Sequence, residues 1–160
     1  VPVVAPHGLG SAVWHEAFES FGGSALLVAD EAEREFELLD SASLTGAPFV
    51  TLSDRIGGAA GAAHWTLRLI PADDGPPLLG LSFAQGPHAT LPEMLMLQLS
   101  RVSAGEPPVD ATSFTWLAGV LAQGRLAARH VYDAAEDTVR ITCREVVSQG
   151  PHLGARPPIG

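Results

Sequence analysis

His130, Tyr132, Cys143 and Glu145 are the residues whose chemistry and spacing most need explaining. They lie in the segment Arg125–Val147, RLAARHVYD-AAED-TVRITCREVV, where two alternating runs flank a short acidic connection. A loop at Ala134–Asp137 sets Asp133 opposite Thr138 and Tyr132 opposite Val139. Strand side chains alternate, so one face carries Leu126, Ala128, His130 and Tyr132 against Val139, Ile141, Cys143 and Glu145. That face is the more apolar and is expected to turn toward the core. Within it His130 and Glu145 stand on the order of 10 Å apart, close enough to share a pocket. There a buried Glu would have its pKa raised by desolvation while His titrates near neutrality, which suits general acid–base work. Tyr132 could donate to a developing oxyanion. His130, Tyr132 and Glu145 are therefore the candidate catalytic groups. The competing reading puts Glu145 at a strand end in solvent and makes His130 a satisfied structural residue.

The opposite face collects Arg125, Arg129, Arg140 and Arg144, four of the nine arginines. Guanidinium forks bind planar carboxylates and phosphates bidentately, so Arg129 and Arg140 are candidate ligand-binding residues. An array that pairs with the protein's own Asp and Glu is the plainer alternative. Trp65 and Trp116 sit in apolar patterns and read as core, or as the walls of a ligand cavity. Cys143 reads as a small core residue rather than a nucleophile.

Other signatures are missing. The six histidines are scattered, with no HxxxH, HxH or cysteine pair, so no metal site is expected. His7-Gly8-Leu9-Gly10-Ser11 lacks the third glycine of a dinucleotide fingerprint and the GK[ST] of a P-loop, so no cofactor is expected. No GxSxG elbow occurs. A formal charge of −9 opposes binding to nucleic acid and to anionic membrane surfaces. No run approaches a membrane span, and the start VPVVAPHGLG is no signal peptide, so a cytoplasmic protein is expected. One cysteine excludes an internal disulfide framework. The nine basic residues are all Arg, with no Lys and no Asn, which points to a GC-rich, bacterial genome. The chain opens at Val1 without an initiator methionine, which reads as a trimmed start or a piece of something longer.

The elements that would position these groups follow from periodicity and punctuation. Ser11 caps a helix over 12–21, ended by Gly22-Gly23. Residues 24–29 read as a buried strand. Asp30 and Glu33 hold capping-box spacing for a helix over 31–42. Residues 47–53 read as a strand and 57–63 as a flexible connection. Runs 64–70 and 77–84 read as a hairpin about the Asp74-Gly75 turn, with Trp65, Leu67 and Leu69 buried beside Leu79, Leu81 and Phe83. Thr90, Pro92 and Glu93 start a helix that Gly105 stops, although Leu95, Leu97 and Leu99 also alternate like a strand. Residues 113–121 fit either a helix or a strand, with Gly119 and the hairpin-like AQG favouring a strand, and 149–160 read as an extended Pro/Gly-rich tail.

The expected architecture is a single α+β domain over 1–160. It has a curved antiparallel sheet, barrel-like in one version, with helices packed on one face. Two functional readings follow. The first is a pocket protein binding a small apolar ligand, extending to a cofactor-free acid–base isomerase, cyclase or lyase. The second is a non-enzymatic interaction or sensor domain, or a subunit, covered by a protein partner or by a second copy in a homo-oligomer. With 17% charged residues against about 25% in typical domains, and a mean hydropathy of +0.20, the composition fits both.

Overall fold

The computed structural model of the chain describes residues 1–41, 50–53 and 62–160. Two sheets organise it. The smaller has strand order β1 (Pro2–His7), β4 (Ala62–Leu69), β3 (Val50–Ser53), antiparallel throughout. The larger runs β2 (Ala25–Val28), β8 (Thr138–Glu145), β7 (Leu126–Asp133), β6 (Phe114–Leu121), β9 (Leu153–Ala155), β5 (Leu78–Leu79). Its pairings are antiparallel except β2 with β8 and β6 with β9, which are parallel. The fold is α+β with largely antiparallel sheets, and neither sheet closes into a barrel among the described residues.

Helix α4 (Leu91–Ser103) lies at the centre. Its start is the capping box expected from Thr90 and Glu93: Thr90 Oγ1 accepts from Glu93 N, and a Glu93 carboxylate oxygen accepts from Thr90 N. This satisfies two of the backbone donors a helix start leaves open, and it decides for helix over strand. Leu91, Met94, Leu95 and Leu97 are buried in a core that also takes Val3 and Ala5 of β1, Leu26 of β2 and Val139 and Ile141 of β8. No helix among the described residues is long and apolar enough to cross a membrane.

Some local expectations need correction. The first helix begins at Ser11, but no side chain caps it; Gly10 is the N-cap residue, with its N–H held by Asp40 Oδ2. The helix, α1 (Ser11–Ala17), widens into a π turn at Phe18–Gly22 before Gly23 stops it at a φ of 63°. The helix expected over 31–42 is two: α2 (Asp30–Arg34) and α3 (Phe36–Ser41), broken at Glu35, whose carboxylate instead receives the N–H of Ala122. Residues 42, 47–49 and 57–61 of the expected elements lie outside the described residues. In the tail expected to be extended, Leu153–Ala155 is a strand of the larger sheet.

The expected hairpin over 64–84 does not form. β4 pairs with β1 and β3, while β5 pairs with β9 in the other sheet. Residues 71–74 between them wrap a guanidinium, with Arg156 donating to the carbonyls of Pro71, Asp73 and Asp74. The faces of β4 are inverted as well: Leu67 and Leu69 are 62% and 50% exposed, while Thr66 is buried. Glu93, buried at the start of α4, needs donors on the inward side of β4, and Thr66 and Arg68 supply them.

The turn between β6 and β7 carries strain that sequence patterning does not reveal. Ala122 and Gln123 adopt φ of 51° and 57°, values that suit Asn-Gly in such a turn. A left-handed residue with a Cβ costs roughly 1–2 kcal/mol, and glycine's extra entropy loss offsets part of any relief. Gln123→Gly is therefore expected to stabilise the protein by roughly 0.5–1 kcal/mol. It should raise the urea midpoint without changing the m-value; a lowered midpoint would refute this account of the turn.

Candidate functional site

The C-terminal hairpin forms in the register read from its alternation, Leu126↔Glu145 through Tyr132↔Val139 to Asp133↔Thr138. Asp133 Oδ1 accepts from the N–H groups of Ala135 and Glu136 and closes the turn. On the inner face Ala128, His130, Val139 and Ile141 are buried. Two of its three candidate acid–base groups acquire separate partners. Tyr132 donates its hydroxyl to Asp137, whose carboxylate pushes the Tyr132 pKa up to about 12. Glu145 is exposed at the far strand end. No hydrogen bond or ion pair joins His130, Tyr132 and Glu145 among the described residues. Cys143 is half-buried, and burial pushes its thiol pKa up, away from nucleophilic character.

His130 belongs to a buried cluster instead. Its Nδ1–H donates to Asp110 Oδ2 at 2.8 Å, and Arg156 Nη2 donates to Asp110 Oδ1 at 2.5 Å, with all three side chains 0% exposed. Asp110 holds a left-handed φ of 62°, which an Asp tolerates better than most residues. Its backbone is fixed at both ends, N–H to Asp74 O and carbonyl from Tyr132 N–H. Burial alone would raise the Asp110 pKa; the hydrogen bond and charge of His130, with the guanidinium of Arg156, hold it below the usual carboxylate range. His130 Nε2 has no protein partner. An imidazole oriented by a carboxylate is the arrangement of a general base, but here the ring is fully buried. Asp110 and Arg156 were not legible as a pair, because they are separated by 46 residues with no motif to join them.

A second polar network lies under the small sheet. Arg68 grips Glu93 with two bonds, Nε to Oε1 at 2.6 Å and Nη2 to Oε2 at 2.7 Å. Thr66 Oγ1 lies 3.2 Å from Glu93 Oε1 and 2.9 Å from His7 Nε2, while His7 Nδ1–H donates to the Asp40 carbonyl. Burial lowers the His7 pKa despite that last bond. Burial would raise the Glu93 pKa, but Arg68 and the Thr90 cap keep it lowered. Only the capping half of this network was visible in the sequence.

The remaining candidates are dispersed. Trp116 is buried on the outer side of the large sheet, its Nε1–H donated to the Leu81 carbonyl, whereas Trp65 is half-buried on the outer side of the small sheet. The two do not line one cavity. Arg140 pairs with Asp133 at 3.1 Å. Arg129 lies 4.0 Å over the Phe114 ring. A groove of about 410 Å³ runs between Pro107-Pro108 and Tyr132, floored by Ala111 and Thr112.

Among the described residues, the outer face of the small sheet is apolar. Pro2↔Leu69 and Val4↔Leu67 are direct cross-strand pairs, and Ile159 bridges to Leu69. Val4, Leu67, Leu69 and Ile159 are 50%, 62%, 50% and 67% exposed, with no charged side chain among them. Val1 and Ile70 exchange backbone bonds, so alternation directs positions 2, 4 and 6 of β1 toward its free edge. Two of these are Pro2 and Pro6, which have no N–H to offer. The edge is blunted against strand addition, and the face is left open.

Replacing Asp110→Asn keeps the shape and the tolerated φ but removes the charge facing Arg156 and His130. Breaking a buried ion pair from one side costs about 3–5 kcal/mol, so urea unfolding at pH 7 should show a loss of that size. Because the folded-state pKa of Asp110 is depressed, its contribution is complete above the ordinary carboxylate pKa and fades as pH falls through the folded value. The wild-type midpoint should therefore drop in acid more steeply than that of the Asn variant. Parallel pH profiles would remove Asp110 from the account. No family model, curated protein or solved structure matches the chain, so the functional reading rests on this geometry.

Proposed function

We propose that the chain is a non-enzymatic interaction domain that pairs with a second copy of itself through the outer face of its small sheet. The observation that carries this reading is the uncharged face of Pro2, Val4, Leu67, Leu69 and Ile159 on a protein of net charge −9. Contiguous exposed apolar patches on soluble proteins mark interaction sites. A second copy is the fitting occupant because a charge-free surface brings no like charges together at the contact, and two-fold self-pairing is the commonest oligomer symmetry. Prolines at the β1 edge favour face-to-face packing, as between the layers of a sandwich, over edge pairing. The buried cluster of Asp110 and Arg156 supports the same reading, since it takes up His130, the candidate general base.

A specific observation supports a second reading, a small-ligand site. The groove beside Tyr132, about 410 Å³, falls in the size range of small-molecule sites and has apolar walls of proline and alanine. It is the version of the pocket hypothesis that the geometry favours, with binding rather than catalysis as its activity.

Sedimentation at tens of micromolar is expected to show a dimer burying at least about 1,000 Å². Leu67→Glu, at an exposed position, should leave the urea midpoint nearly unchanged and weaken dimerisation about 100-fold, since like charges meet across the two-fold contact. A monomer at that concentration, or a dimer indifferent to Leu67→Glu, would overturn the proposal. A monomer stabilised thermally by small aromatic compounds, with the gain abolished by Tyr132→Ala, would favour the groove.

A further inference from the structure

Among the described residues, three arginines of the sheets and tail are neutralised: Arg68 by Glu93, Arg156 by Asp110 and Arg140 by Asp133. Arg129 and Arg144 are not. Neither has a carboxylate within ion-pair distance among the described residues, although the chain carries eighteen acidic residues against nine basic ones. The hairpin register puts them on one face of neighbouring strands, with Arg129 opposite Thr142 and Arg144 two residues further along β8. Arg129 is fixed from two sides, its guanidinium stacked on Phe114 and its Nε–H donated to Thr142 Oγ1 at 3.2 Å. Burial and the nearby charge of Arg144 both lower its pKa, which reports two like charges held close together.

These side chains border a concavity of about 150 Å³. Phe114 forms one wall, and the turn of Gly150, Pro151 and His152 forms the other. The turn is anchored, since the His152 carbonyl accepts from Phe114 N–H at 2.7 Å and Leu153 N–H bonds to Gly150 O. A small concavity with two unneutralised guanidiniums and an exposed imidazole at its rim is built to receive negative charge. Stacking leaves the Nη groups of Arg129 available, and Arg144 adds a second fork from the adjacent strand.

We propose that Arg129, Arg144 and His152 form a binding site for a small oxyanion, the terminal phosphate or carboxylate of a ligand. The volume admits an anionic head group and leaves the rest of the ligand outside. The site lies on the larger sheet, and its occupancy is independent of the apolar face of the smaller one.

The test is a titration of the full chain with inorganic phosphate at low ionic strength, with chloride at matched ionic strength as the control. Arginine Nε–H and backbone amide resonances are the readout. Phosphate should shift the Arg129 and Arg144 side-chain signals and the amides of residues 150 and 152 saturably, and chloride should not. Arg129→Gln and Arg144→Gln, the latter at an exposed position, should each weaken phosphate binding about tenfold or more, the usual loss for one charge-assisted contact. Arg125→Gln, exposed and outside the concavity, should leave it unchanged. A parallel titration with acetate separates the sources: shifts from both anions support a general oxyanion site, and shifts from phosphate alone support a phosphoryl group. Phosphate shifts no larger than those from chloride, or undiminished in Arg144→Gln, would overturn the proposal.

Discussion

The buried guanidinium of Arg156 is the interaction on which most of this fold depends. Its donors are taken by Thr115 Oγ1, the carbonyls of Pro71, Asp73 and Asp74, and the carboxylate of Asp110. A charge so far from water survives only with such a complete set of acceptors. Those acceptors come from three remote parts of the chain, so satisfying one side chain fixes the 71–74 loop, the approach to β6 and the end of β9 together. Asp110 extends the constraint to His130 on β7. Ion clusters of this kind are weak evidence for net stability, because hydrophobic replacements often do as well. Their effect here is on topology: the tail must run where Arg156 can reach its acceptors. Gly154 then lies so close to the Leu78 carbonyl that a Cβ has no room.

A parallel constraint shapes the small sheet. Glu93 serves the α4 start as a cap and is fully buried there, so its charge must be met from the sheet above it. Arg68 and Thr66 therefore face inward. Alternation then turns Leu67 and Leu69 outward. The apolar outer face follows directly from the need to neutralise one carboxylate. An acid that caps a helix thus determines which surface is left for a partner.

The two surface features proposed as functional sit on different sheets and differ in chemistry. One is apolar and uncharged; the other is small, concave and cationic. Each departs from what the bulk composition favours, in an acidic protein whose core is filled by Leu, Met and Trp side chains with 0–5% exposure. In both, the central residues (Val4, Leu67 and Leu69 in one, Arg129 and Arg144 in the other) sit on regular strands, which hold side chains more precisely than loops do.

What the sequence determined by itself is local. Strict alternation around a short acidic turn was enough to set the β7–β8 register residue by residue, because a one-residue slip would exchange the buried and exposed faces. Thr90, Pro92 and Glu93 located α4, because a capping box depends only on neighbours along the chain. The α+β class followed from these pieces. The tertiary structure decided the rest: the parallel pairing of β2 with β8, the recruitment of residues 153–155 into the sheet, the inverted faces of β4, and the removal of His130 into an ion cluster with Asp110 and Arg156. Trp65, Leu67 and Leu69 carry the periodicity of a buried strand, yet the face they form points outward. Periodicity says that two faces differ, but which one is buried depends on the charges waiting in the core. Those charges are brought together by contacts between residues tens of positions apart, which no local pattern encodes.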